Sequence, residues 1–104
     1  MSARIIGFTA PQFRFRNYKN GNTLTISAFQ PMSETDLQRI RDYVWSNAET
    51  HCTGEFVDAV YLRLHMASFK ELATGEVSEE TQAYIDALKD AGVYIELTGA
   101  VFVL

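Results

Sequence analysis

His65 and Glu96 form the one pairing in this 104-residue chain that could move a proton. A carboxylate beside an imidazole holds the ring and its tautomer for general acid–base work. The pairing requires two adjoining strands to carry the two residues. No G-x-S-x-G turn and no phosphate-cradling glycine loop accompanies it. A second cluster lies in "THCTGE", where His51 and Cys52 are adjacent and Glu49, Glu55 and Asp58 are near. Structural zinc uses four ligands, in pairs such as C-x₂-C or H-x₃-H, and that spacing is missing. Cys52 is the sole cysteine, so no intramolecular disulfide forms, and a reactive thiol would need a neighbouring cation or helix N-terminus to lower its pKa. No metal and no cofactor is expected.

The stretch "FRFRNYKNGN", residues 13–22, carries a different chemistry. Arginines alternate with aromatics at strand spacing, and successive strand side chains point to opposite faces. One face of a sheet would then gather Arg14, Arg16, Tyr18, Thr23 and Thr25. Tyr61, Arg63, His65, Tyr94, Glu96 and Phe102 join them if residues 58–69 and the C-terminal run are strands of the same sheet. Rings and guanidinium groups two residues apart on adjacent strands are what a single-strand nucleic-acid binder uses for bases and phosphates. Cross-strand packing in an ordinary sheet uses the same residue types. The glycine-aromatic signature of the common RNA-binding sheet is absent.

These side chains depend on a small set of elements. Residues 3–9 read as a strand ended by Ala10-Pro11. Asn20-Gly21 signals a hairpin, and a two-residue type I′ turn there pairs residues whose numbers sum to 41, so that Phe15 faces Ile26 and Arg16 faces Thr25. Asn17 is then the one polar residue on the apolar side. Ser33 caps a helix over 34–49, with Leu37, Ile40, Val44 and Ala48 at helical spacing. Trp45, beside Val44, is expected to be partly buried against the sheet. Val60, Leu62, Leu64 and Met66 alternate as in a half-buried strand over 58–69, and a helix over 55–72 is the alternative. Ser78 caps a helix over 79–91, stopped by Gly92. A strand finishes the chain over 93–104, with Gly99 marking a bulge. Ile95 and Leu97 lie on its one side and Tyr94, Glu96 and Phe102 on the other.

The order β-β-β-α-β-α-β implies an α+β fold in one domain, residues 1–104. It is a two-layer sandwich with a mixed four- to five-stranded sheet and two helices on one face. The last β-α-β segment would be a right-handed crossover.

Bulk properties narrow the function. An apolar share of 47 % supports one modest core. No apolar run reaches the roughly 20 residues a bilayer requires, and Met1–Ile6 lacks a signal-peptide pattern, so a cytoplasmic protein without membrane contact is expected. The net charge of −4 disfavours a general nucleic-acid binder. Its distribution is lopsided: residues 1–33 hold Arg4, Arg14, Arg16 and Lys19 with no acid, whereas 34–104 hold the other five bases and all 13 acids. The expectation is a small non-enzymatic interaction, inhibitor or accessory protein that acts by surface binding to a protein partner. It would be a homodimer through the apolar C-terminal strand. Single-stranded nucleic acid on the basic, aromatic sheet face is the alternative, and a small-molecule-binding or acid–base enzyme at His65 and Glu96 is third.

Overall fold

The computed structural model describes residues 5–8, 12–28, 31–67, 71, 76–98 and 101–103. Strands β1 (Ile5–Phe8), β2 (Gln12–Arg16) and β3 (Thr23–Ser27) come first. Helices α1 (Glu34–Asn47), α2 (Gly54–Met66) and α3 (Glu79–Asp90) follow, and strands β4 (Tyr94–Thr98) and β5 (Val101–Val103) end the chain. The class is α+β, as the sequence implies. The main sheet is three-stranded and antiparallel, in the order β3-β2-β4, and β1 pairs antiparallel with β5 in a separate two-stranded sheet. The bulge expected at Gly99 lies outside the described residues.

Central strand β2 shows why the sheet has two unlike faces. Phe13 and Phe15 are buried while Gln12, Arg14 and Arg16 between them are not. Phe13 stands between Ile26 of β3 and Leu97 of β4, and Phe15 between Leu24 and Ile95. These apolar rows pack beneath Ile40 and Val44 of α1, Val57, Val60, Tyr61 and Leu64 of α2, and Leu88 of α3. Each large side chain buried in this way contributes roughly 1.5–3 kcal/mol relative to exposure.

The hairpin turn sits where Asn20-Gly21 places it, but its type differs. Within the turn only Gly21 adopts a positive φ, 75°, and Asn20 does not, so a type I′ turn is ruled out. The Asn17 N–H donates to Asn22 O at 3.0 Å and the Gly21 N–H to Asn17 O at 2.8 Å, closing a four-residue loop. The register therefore shifts by two residues: Phe15 faces Leu24 and Arg16 faces Thr23. A shift of two preserves the strand's parity, so every side chain keeps its expected face.

Two expectations are overturned in the middle of the chain. Residues 54–66 are helix rather than strand, so the β-α-β crossover does not exist and the main sheet is antiparallel rather than mixed. The Thr53 hydroxyl accepts from the Phe56 N–H at 3.1 Å and caps α2. Val57, Val60, Tyr61 and Leu64 are buried, a helical spacing, while Leu62 and Met66 are exposed. The apparent alternation arose because two leucines and a methionine fall on different sides of one helix. Leu, Ala, Met, Glu and Arg favour helix, and burial of one stripe against the sheet completes it.

Both expected caps form. The Ser33 hydroxyl accepts from the Asp36 N–H at 3.1 Å and the Ser78 hydroxyl from the Thr81 N–H at 3.2 Å. Gly92, with φ 93°, ends α3, and the Val93 N–H returns to Leu88 O at 3.0 Å. Arg41 binds Asp58 through two bonds of 2.8 and 2.6 Å and ties α1 to α2.

Asn17, the misfit of the apolar side, is buried because it belongs to a latch. Asn17 and Asn47 are 7 % and 8 % exposed. The Asn17 amide donates to Asn47 O at 3.1 Å and, more weakly, to Asn47 Oδ1 at 3.4 Å. Asn20 and Asn22 donate to the same Oδ1, each at 3.2 Å, and the Asn47 amide donates to Tyr43 O at 2.9 Å. The Tyr43 hydroxyl donates to Asn22 O at 2.6 Å. Four asparagines and a tyrosine thus fasten the hairpin loop to the last turn of α1, with their buried polar groups satisfied.

Candidate functional site: the open face of the sheet

Helices cover one face of β3-β2-β4, and the other presents three cross-strand rows. They are Ser27–Gln12–Thr98, Thr25–Arg14–Glu96 and Thr23–Arg16–Tyr94. The middle strand contributes both arginines because they alternate with Phe13 and Phe15. Tyr18 follows at the hairpin and is 57 % exposed. Its ring meets Tyr94 edge to face at 4.8 Å, and its hydroxyl donates to the Glu96 carboxylate. That hydrogen bond, helped by desolvation, holds the Tyr18 phenol above its usual pKa. The Arg16 guanidinium lies over the Tyr18 ring at 5.3 Å, and Lys89 of α3 reaches the Tyr94 ring at 5.8 Å.

The charge pairing of the chain marks this face out. Lys19 pairs with Glu49, Arg39 with Asp36, Arg41 with Asp58 and Arg63 with Glu80. Arg14, Arg16 and Lys89 make no ion pair among the described residues. Of these, Arg16 and Lys89 lie over the Tyr18 and Tyr94 rings, and Arg14 stands in the next cross-strand row, opposite Glu96. Of the N-terminal cations described, Lys19 at the hairpin loop meets an acid of the C-terminal part, and the arginines of β2 do not.

Seven of the eleven residues expected on this face therefore meet here: Arg14, Arg16, Tyr18, Thr23, Thr25, Tyr94 and Glu96. Four do not. Tyr61 is buried in the core and its hydroxyl accepts from the Ser33 N–H at 3.2 Å. Arg63 pairs with Glu80 and lies over Tyr84 at 5.9 Å. His65 packs edge to face on Tyr61 at 4.7 Å. All three moved because their segment is helix α2, on the far side of the sheet. Phe102 belongs to β5, opposite Gly7 in the two-stranded sheet. Lys89 is the addition the sequence did not offer. Only the return of the chain after Gly92 brings the end of α3 beside β4.

The acid–base pair does not form. Glu96 projects from the open face, whereas His65 sits in the helical layer with its Nε2 buried and unpartnered among the described residues. Burial pushes the His65 pKa below the usual imidazole value, and nearby Asp36 partly opposes this. Cys52 likewise lacks activation: burial raises its thiol pKa, and its Sγ donates to Thr50 O at 3.6 Å. His51 turns its ring edge to face on Trp45 at 5.8 Å. Trp45 is 75 % exposed and is not held against the sheet as expected. Position 45 lies one residue past the buried Val44, about 100° further round the helix. Among the described residues no three His, Cys, Asp or Glu side chains converge on a metal-sized site, and no helix is long and apolar enough to cross a membrane.

The fold and the face together define an α+β two-layer protein with a half-buried, cation-bearing sheet face opposite its described helices. Compared with protein-family models, with curated proteins and with solved structures, the chain matches none of them.

Proposed function

We propose that this is a small non-enzymatic binding protein that acts by occupying a partner's surface, and that its working surface is the open face of β3-β2-β4. The observation that carries the reading is the gathering of Arg16 and Lys89 over Tyr18 and Tyr94, with Arg14 in the next row of β2, none of them ion-paired among the described residues. Arginine and tyrosine are the residue types that dominate binding energy at protein interfaces. Free cations in a chain of net charge −4 select an anionic patch on the partner protein. Glu96 accepts from the Tyr18 hydroxyl and so positions that ring.

A second reading is single-stranded nucleic acid. It is favoured by the spacing of Arg14, Arg16 and Tyr18 along one strand and its turn, with Tyr94 on the neighbouring strand. Titration with short single-stranded oligonucleotides at several salt concentrations separates the two. A protein-binding face gives no saturable oligonucleotide affinity at moderate salt. Binding that saturates, steepens at low salt and loses about two units of salt slope in the Arg14→Ala/Arg16→Ala double variant would replace the first reading with the second.

A further inference from the structure

The helical side carries a second surface with the opposite charge. Trp45 exposes 75 % of its surface, more than any other large apolar residue described. Below it a cleft of about 250 Å³ is bordered by Asp42, Trp45 and Gly54. It shares His51 and Cys52 with a neighbouring cleft of about 400 Å³, floored by Phe56 and Ala87 and bordered by Asp90. Two helices end here. The Glu49 N–H donates to Ala91 O at 2.7 Å, which sets the C-terminus of α1 beside that of α3. Each helix C-terminus carries a partial negative charge, and α3 adds Asp90. The N-terminus of α2 also opens nearby, with Glu55 in its first turn to offset its positive end. Arg41, the cation at the rim, is held by Asp58, and Lys19 by Glu49. Asp42 and Asp90 have no cationic partner among the described residues.

We propose that the groove below Trp45 is a second contact surface, one that takes an arginine- or lysine-bearing segment of a partner protein. The stem of such a side chain suits the apolar floor, its cation the indole face, and its N–H groups the Asp42 or Asp90 carboxylate. Tryptophan is enriched among the residues that carry binding energy at protein interfaces. The surface differs from the sheet face in charge and shares with it only α3, which sends Lys89 to Tyr94 and Asp90 to the groove.

Trp45 is the chain's sole tryptophan, so its emission reports the groove directly. The probe is an acetylated and amidated pentapeptide, Gly-Arg-Ala-Arg-Gly, with a counterpart carrying glutamate in place of both arginines. The arginine peptide produces a saturable change in emission and the glutamate peptide none. Asp42→Asn with Asp90→Asn weakens the arginine peptide about tenfold or more. Both positions border solvent, and circular dichroism checks that the fold persists. The Arg14→Ala/Arg16→Ala variant binds the peptide as wild type does, which separates this groove from the sheet face. The proposal is overturned if emission shows no saturation up to about 1 mM peptide, if the glutamate peptide binds equally, or if the aspartate double variant keeps full affinity. An emission change that depends on protein concentration alone would assign the groove to a second copy and also overturn it.

Discussion

Replacing Asn47 with alanine tests whether the asparagine latch fastens the hairpin to α1. The variant loses two bonds of 3.2 Å to Asn20 and Asn22, the weak 3.4 Å contact to Asn17, and the 2.9 Å bond to Tyr43 O. It keeps the 3.1 Å bond from Asn17 to the residue 47 backbone. Asn20 and Asn22 are exposed, so water can replace their partner and each bond counts at the low end, about 0.5 kcal/mol. The bond to Tyr43 O lies deeper and counts about 1 kcal/mol, giving about 2 kcal/mol in total. Alanine returns about 0.5 kcal/mol through helix propensity, so the expected net loss is about 1.5 kcal/mol. Urea melts followed by circular dichroism read this as a lower midpoint at unchanged slope. Combining the change with Asn20→Ala should give less than the sum of the two single losses, since both delete one bond. A net loss under about 0.5 kcal/mol, or strict additivity, would refute the idea that these amides act as a unit.

Gly21→Val should destabilise by about 1–2 kcal/mol through the positive φ alone, because no atom lies within 4 Å of the added Cβ. Gly21→Asn should cost distinctly less, and equal urea midpoints for all three proteins would show that the backbone strain is absent. His65, half-buried with its Nε2 enclosed, has a lowered pKa, so between that value and the unfolded value near 6.5 the unfolded state binds more protons. Stability therefore falls as the pH drops through this window. His65→Gln should flatten that fall, and an identical pH dependence in the two proteins would contradict it. Strand β5 pairs only with β1 in its sheet, so the self-association expected of the apolar C-terminal strand is tested by Phe102→Glu. Light scattering should give a wild-type dimer and a variant monomer with its helix signal intact, and a monomeric wild type at high micromolar concentration removes the idea.

Local rules determined much of this protein. Ser33 and Ser78 cap their helices wherever the rest of the chain goes, because capping needs only a side-chain oxygen and the N–H three residues on. The alternation Phe13-Arg14-Phe15-Arg16 determined which side chains reach the core and which the open face, and this survived a two-residue error in register because parity did not change. Segment 54–66 has a cap of the same kind in Thr53, but its residue pattern is ambiguous. Its residues satisfy both the two-residue and the helical period. The packing of Val57, Val60, Tyr61 and Leu64 beneath the sheet decided it, and with it removed Tyr61, Arg63 and His65 from the expected face. The remaining features are contacts between residues distant in the chain. Asn17 reaches Asn47 thirty positions away, Lys89 arrives beside β2 through its neighbour Tyr94, and α1 and α3 meet end to end below Trp45. Hydrogen bonds and charges act over a few ångströms, so spacing along the sequence carries no trace of such pairs until the helices dock on the sheet.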